Sequence, residues 1–381
     1  MTSATTGPGL YIHIPFCRSK CDYCAFVSYP VGNFNPASYL TALRKEIDFW
    51  SEQTGAARFD SIFIGGGTPT ILPTADLIRL LAVVREKFAI DREAEITIET
   101  NPNTIDRAKL TALLAHGVNR LSIGIQCLND QTLRRINRSH TAAEGRAAVY
   151  LAREIGFNNL NLDLIYGLPG QTVAAWQQTL TEAVALGPDH LAIYQLSIDP
   201  GSRFAEQIEQ GRLRLPDDDQ VATMAENSLA TMAAGPLDRY EISNYARPGR
   251  RCRHNLIYWH NGSYLGLGAG AVSNWAGLRI RNTPDPALYQ QRLRAGEPAW
   301  QEGEALPRQA SFRETVIMGL RLMAGVAAAD LRERFDLDFA DYYGENLRKM
   351  RRRRLLEFSN GRWRLTEAAL PFANQVLAEL V

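Results

Sequence analysis

Nothing in the sequence is long and apolar enough to read as a membrane span, and the opening Met1–Gly9 carries neither a basic segment nor an apolar run. The expectation is a protein of a reducing cytoplasm, which reaches the inner face of a membrane only through a partner or a local patch. An excess of either charge is also lacking: 42 Lys and Arg stand against 41 Asp and Glu, a formal net charge of +1. No long-range field therefore draws nucleic acid or anionic lipid to the chain, and partners must be recognised locally. Cysteine is scarce, five in 381 residues, which excludes a disulfide scaffold. The length predicts two or three structural units.

Three of the five cysteines nevertheless crowd into one loop. Cys17, Cys21 and Cys24 follow the apolar run Tyr11-Ile-His-Ile-Pro-Phe16, with Arg18, Lys20 and Asp22 among them. An odd set with gaps of three and two residues suits a disulfide poorly. A helix would bring all three thiols to one face as buried apolar groups, but the flanking charges argue against a dry face. Zinc would need a fourth ligand such as His13, Cys127 or Cys252. A four-iron, four-sulfide cubane takes four thiolates, so three would leave one iron open to a small chelating molecule. The position where a fourth cysteine might be sought holds Phe26. On these residues alone, zinc and iron–sulfur both stand.

Apolar, β-branched runs at 10–14, 59–64, 95–99, 120–126, 159–166 and 190–197 alternate with helical patterns. They predict repeated βα units whose parallel sheet curls towards a barrel. Thr74, Thr104, Thr141 and Thr172 read as helix starts, Gly117, Gly156 and Gly187 as stops, and Thr141-Ala-Ala-Glu144 as a capping box. In such folds the chemistry lies in loops beyond the strand C-termini. Gly65-Gly-Gly-Thr68-Pro follows the second strand, where consecutive glycines let backbone approach a ligand, although a plain turn looks the same. Glu99 and Gln126 end the third and fourth strands and Asp163 lies within the fifth. Such buried polar groups need partners, for which a ribose is suited, and Arg138 downstream could hold a carboxylate.

Cys-x3-Cys-x2-Cys after a first strand, Gly-Gly-Gly-Thr-Pro after a second and polar ends on later strands together resemble the radical S-adenosylmethionine superfamily. The resemblance implies an α/β fold, a partial (β/α)6 TIM-like barrel over residues 1–205. It implies a 4Fe-4S cluster on Cys17, Cys21 and Cys24, with S-adenosyl-L-methionine chelating the open iron and cleaved there to a deoxyadenosyl radical. By the same resemblance Gly65, Gly66 and Thr68 line the methionyl amine, and Glu99, Gln126 and Asp163 touch the amine and ribose side. Arg138 would meet the carboxylate, and Tyr11 and Phe26 the methionyl and adenine surroundings.

Beyond Pro200-Gly201 the organisation changes. Residues 240–246 alternate like a strand, 247–253 form a basic loop, and His254-Asn-Leu-Ile-Tyr-Trp259 precedes a glycine-rich run at 262–271. That run lacks the lysine of a P-loop and reads as close backbone packing beside the barrel. His254 beside Tyr258 and Trp259 could ligate iron while an aromatic ring packs on a flat macrocycle, or could be a satisfied histidine among core aromatics.

Tyr-Ile-His-Ile-Pro-Phe-Cys, Asp-Leu-Ile-Tyr-Gly-Leu-Pro and Glu-Ile-Ser-Asn-Tyr-Ala extend the resemblance over nearly the whole chain, to the HemN/HemW family. On the side of oxygen-independent coproporphyrinogen III dehydrogenase, that family has a further cysteine where Phe26 stands here and an N-terminal extension before the first strand. On the HemW side it has phenylalanine and a His-Asn-x-x-Tyr-Trp motif, which residues 254–259 match. The resemblance therefore implies a haem chaperone, with His254 at the haem, that delivers its cargo to acceptor haemoproteins, membrane-bound respiratory proteins among them. A homodimer is compatible with it. The alternative is a radical enzyme of tetrapyrrole synthesis that decarboxylates propionate side chains. Cys127 and Cys252 receive no role.

Residues 206–305 are read as an extension carrying the His254–Trp259 motif, and 306–381 as a separate helical module. Helices expected at 312–323, from Ala329 and over 342–356, followed by a hairpin at Asn360-Gly361, resemble a winged helix. Arg351–Arg354 invite a nucleic-acid reading, but a single charge run in a neutral chain is ordinarily a solvated helix end. No nucleic acid is expected, and the module reads as a lid or docking surface.

Overall fold

The computed structural model describes residues 7–381. Six strands lie side by side in chain order, all parallel: β1 (Gly9–Ile14), β2 (Arg58–Gly66), β3 (Ala89–Thr100), β4 (Arg120–Gln126), β5 (Leu160–Tyr166) and β6 (His190–Gln195). Every residue of β4 is buried, as a strand covered on both faces requires. Helices Pro36–Thr54, Thr74–Lys87, Arg107–Ala115, Ala142–Ile155 and Val173–Ala185 fill the crossovers.

The helix punctuation is mostly where the sequence puts it. The Thr141–Glu144 capping box forms, Gly156 closes that helix at φ 110°, and Thr172 caps the next. Two starts are corrected. Thr74 is the first helical residue rather than the cap, which is Pro73. Thr104 sits in a 3-10 turn because its hydroxyl is taken by Asn101 O at 2.8 Å and Thr70 Oγ1 at 2.6 Å, so Asp106 caps the helix instead.

The six strands are the middle of a twelve-stranded mixed sheet. Tyr264–Leu267 adds parallel to β1, and Val272–Trp275, Leu278–Asn282 and Trp300–Ala305 follow antiparallel. The glycine run makes this addition possible: a Cβ on Gly266 would lie 2.1 Å from Val272 O. At the other edge the expected strand over 240–246 shrinks to Asn244–Ala246, antiparallel to β6, with Asp238–Arg239 outside it. Glu241 turns away to bridge Leu322.

A second hydrophobic core is built from Phe312, Phe339, Leu347, Met350 and Trp363. It joins helices Arg308–Gly319, Ala328–Phe335 and Phe339–Arg352 to the hairpin Leu356–Ser359/Arg362–Leu365. Asn360 at φ 52° and Gly361 at φ 76° make the turn, the left-handed pair that a two-residue hairpin of this twist demands. The first of these helices begins four residues earlier than expected, at Arg308 behind Pro307.

Candidate functional site

The cysteine loop leaves the C-terminal end of β1 and does not fold as a helix. Phe16–Cys17 pairs in parallel with Tyr29–Pro30, and Cys24 N–H closes a turn on Cys21 O at 3.1 Å. All three thiols are free and half-buried, and each has its own polar neighbour, two of them from distant parts of the chain. Thr68 Oγ1 donates to Cys17 Sγ at 3.6 Å, the Arg138 guanidinium to Cys21 Sγ at 3.6 Å, and Ser28 Oγ lies 3.8 Å from Cys24 Sγ. Burial raises the Cys17 and Cys24 thiols, an effect the Thr68 and Ser28 hydroxyls oppose.

The side chains that could complete a zinc tetrahedron are committed elsewhere. His13 gives one ring nitrogen to Tyr11 Oη at 2.8 Å and the other to Val27 O at 2.7 Å. Cys127 is buried against Thr179 Oγ1 and Cys252 against Glu95. Among the described residues no three His, Cys, Asp or Glu side chains are gathered so as to hold a single metal ion.

The glycine loop is laid directly on the cysteine loop. Gly67 N–H donates to Ile14 O at 2.9 Å and Thr68 N–H to Phe16 O at 2.7 Å. A Cβ on Gly66, whose φ is 109°, would lie 2.5 Å from the His13 ring, and one on Gly65 2.8 Å from Glu99 Oε2. Close packing of two loops therefore requires these glycines whatever else they touch.

Glu99 accepts the Gly66 N–H at 3.0 Å through Oε2, which leaves Oε1 unengaged. Burial, with Asp163 second, pushes its carboxyl up to about 8. Asp163, raised by burial, accepts from Ser122 Oγ at 3.1 Å and Asn161 Nδ2 at 2.9 Å. Gln126 stands at φ 62° on a bulge of β4, and both its amide and the Arg138 guanidinium close over Gly124. Arg138 is aimed by Gly124 O and by Asn101 Oδ1 at 2.7 Å, and Asn101 in turn donates to Thr68 Oγ1 at 3.0 Å. Tyr11 lies against Phe63 on the inner wall, with ring centroids 6.3 Å apart. Phe26 is 68% exposed beside the loop.

His254 opens the aromatic motif of residues 254–259. Its helix, Arg253–Trp259, is capped by the Glu95 carboxylate, which accepts Arg253 N–H at 3.1 Å and His254 N–H at 3.2 Å. The ring is 1% exposed, with Nδ1 on Ser61 Oγ at 2.8 Å and Nε2 on Tyr258 Oη at 2.9 Å. Burial lowers its pKa to about 3. Both nitrogens face hydroxyls in this arrangement, so one of these hydrogen bonds would have to open for the imidazole to reach an iron.

Residues 11–183 match the family model described as the Radical SAM superfamily, and residues 306–372 match the HemN C-terminal domain. The chain is 34% identical over 367 residues to the heme chaperone HemW of Bacillus subtilis (strain 168), covering 96% of this chain and 97% of that one. The chain belongs to the HemW family of radical SAM proteins. It is also 38% identical over 263 residues to the heme chaperone HemW of Escherichia coli (strain K12), 69% of this chain and 68% of the relative. Among solved structures it resembles coproporphyrinogen III oxidase (HemN) from Escherichia coli, a radical SAM enzyme, with a TM-score of 0.87 and 27% identity, covering 100% of this chain and 91% of that chain.

Within this HemW-family chain the structure gathers Cys17, Cys21, Cys24, Gly65, Gly66, Thr68, Glu99 and Arg138 around one loop pair, with Gln126 and Asp163 on the adjoining strands. Sequence reasoning missed Ser28 and Asn101. The latter's signal is its place in Glu99-Thr-Asn-Pro102, a polar residue at the end of a buried strand. The donor set fits an iron–sulfur cluster: three half-buried sulfurs on one loop, two with a hydroxyl or guanidinium donor and the third beside a hydroxyl.

Proposed function

We propose that this chain is a haem chaperone of the radical SAM type, which binds a 4Fe-4S cluster, S-adenosyl-L-methionine and haem and passes haem to acceptor haemoproteins, membrane-bound respiratory proteins included. The observation that carries this is likeness to HemW over almost the full length of both chains. Residues 1–205 are read as a partial (β/α)6 barrel bearing the cluster, 206–305 as the extension and 306–381 as a winged-helix-like lid. No helix of the described residues is long and apolar enough to cross a membrane, so membrane acceptors would be met from outside the bilayer.

Cys17, Cys21 and Cys24 would hold the cluster, with Thr68 and Arg138 donating to the sulfurs of Cys17 and Cys21 and the Ser28 hydroxyl beside that of Cys24. When bound, the cluster supplies the electron that cleaves the sulfonium of S-adenosylmethionine. Glu99 Oε1 would accept an N–H of the methionyl amine, Arg138 would meet the carboxylate, and Gln126 and Asp163 would bind ribose hydroxyls. Tyr11 and Phe26 would border the methionyl and adenine groups.

The test is anaerobic reconstitution followed by iron, sulfide and zinc analysis, haem titration and a coproporphyrinogen assay on the same preparation. About four irons and four sulfides per chain, tight haem binding and no porphyrinogen consumption are expected. Zinc without labile sulfide would sink the reading. The close structural likeness to HemN favours one rival, a porphyrinogen-decarboxylating enzyme, and turnover of coproporphyrinogen would establish that rival instead.

A further inference from the structure

The two residues that flank Cys21 in the cysteine loop are both held by one amide from another part of the chain. We propose that Asn137 is a positioning residue for the iron–sulfur cluster: with helix Arg203–Glu209 it clamps the Cys21 corner of the loop and sets how firmly iron is kept there. This rests on the cluster reading of Cys17, Cys21 and Cys24 and adds to it a residue that ligates nothing.

Asn137 Nδ2 donates to Lys20 O at 3.1 Å and to Asp22 Oδ1 at 3.2 Å. A carbonyl and a carboxylate only accept, so the nitrogen of the amide must face them, one hydrogen to each. The next residue, Arg138, donates to Cys21 Sγ at 3.6 Å. Two consecutive residues therefore hold Cys21 by both its neighbours and by its sulfur.

The backbone at position 137 shows what the side chain is for. Helix Asp130–Arg135 ends with Asn137 N–H on Arg134 O at 3.1 Å and Arg138 N–H on Leu133 O at 2.9 Å, and Asn137 is left-handed at φ 57°. Glycine is the usual residue at such a helix end, because it has no Cβ to strain, and asparagine is the common second choice. The helix end has no need of the amide. The cysteine loop does, and asparagine supplies the left-handed backbone and the double donor together.

Asp22, with a side chain 12% exposed, is where the second arm of the clamp meets the first. Its Oδ1 also accepts from Arg203 Nη1 at 3.5 Å, and its carbonyl accepts Phe204 N–H at 3.0 Å, one of the donors that the first turn of a helix leaves free. Phe204 is fully buried, its ring 6.5 Å from that of Tyr23, and Ser202 Oγ caps the helix by accepting Ala205 N–H at 3.2 Å. The two arms lie 115 and 181 residues from Asp22 in the sequence, so the loop around Cys21 is shaped by the finished fold. Cys17 sits in the short ladder with Tyr29–Pro30, and loss of the clamp would free the Cys21 corner first.

The test reconstitutes the full chain anaerobically as wild type, Asn137→Gly, Asn137→Asp and the exchange Asp22→Asn/Asn137→Asp. Loss of cluster absorbance to an excess of EDTA is followed, and denaturant unfolding is measured by circular dichroism on the same cluster-loaded preparations. Asn137→Gly keeps the residue that the helix end prefers, so the unfolding midpoint should change little while iron is lost roughly tenfold faster, equivalent to about 1.4 kcal/mol. Asn137→Asp sets a carboxylate against Lys20 O and Asp22 and should lose iron faster still. The exchange restores an amide-to-carboxylate bond between the two positions and should bring the rate back towards wild type. Iron lost at the wild-type rate from both single variants, or lost faster only in proportion to a lowered unfolding midpoint, would overturn the positioning role and leave the cluster reading intact. A wild-type chain that takes up no iron and sulfide would overturn that reading and the role of Asn137 with it.

Discussion

At the scale of single residues, the cysteines are the simplest case. Cys21→Ser should abolish the cluster absorbance, since the remaining two thiolates cannot hold a cubane, and an intact cluster in that variant would assign the iron to other ligands. Glu99 yields a pH prediction. Its carboxyl is raised to about 8 by burial and Asp163, so it is largely protonated at neutral pH, while it accepts an amine N–H on Oε1 best as the carboxylate. Binding of S-adenosylmethionine should therefore release a proton below about pH 8 and tighten as pH rises towards that value. Glu99→Gln should flatten both trends, measured by calorimetry in buffers of different ionisation enthalpy; identical proton release in the variant would remove Glu99 from the site. His254→Ala should cost about 2–4 kcal/mol in denaturant unfolding, from a cavity and from Ser61 and Tyr258 left unpaired, and should weaken haem binding while leaving the cluster spectrum intact; unchanged haem affinity would make the residue structural only. The cysteine and glycine roles were legible because their spacing is local. The state of His254 was not, because the ring's first partner, Ser61, lies 193 residues away in the chain.

Among elements, β1 to β6 were legible because short runs rich in Leu and Ile recur between helical patterns, even where, as in Leu160–Tyr166 and Arg120–Gln126, polar residues alternate with them inside a buried strand. Helix starts were legible where one residue type competes alone, as at Thr141. They slipped at Thr104, where Asp106 caps the helix, while the helix that begins at Thr74 follows Pro73 with no side-chain cap. The extension of the sheet beyond β1 was hidden, since Tyr264–Leu267 pairs with residues some 250 positions earlier. Two substitutions test the element-level account. Thr141→Ala should cost about 1 kcal/mol through loss of the capping box, read as a shifted unfolding midpoint with unchanged slope. Gly66→Ala should strain the loop pair, because its φ of 109° and the His13 ring 2.5 Å from the added carbon leave no room, and should lower the iron retained after reconstitution.

Over the whole molecule, two hydrophobic cores share one chain, and few polar links tie them. The Glu314 carboxylate takes both arms of the Arg279 guanidinium and the Asn261 amide, and Met323 N–H donates to Tyr240 O at 3.0 Å. Glu314→Ala should loosen the C-terminal module and split the thermal transition, with the cluster absorbance following only the later step; a single unsplit transition would mean that packing and the remaining links, Arg334 to His260 O and Asn261 O among them, hold the seam without Glu314. The central claim, that a radical SAM scaffold here carries haem rather than transforms its precursor, is tested most directly by one transfer measurement. The reconstituted chain is loaded with haem b, freed of excess, and mixed anaerobically with an apo-haemoprotein while the acceptor's absorbance is followed. The account predicts that the acceptor gains haem as the chain loses it, while coproporphyrinogen offered in the same vessel is left intact. Loss of coproporphyrinogen propionates with no haem delivered would contradict it.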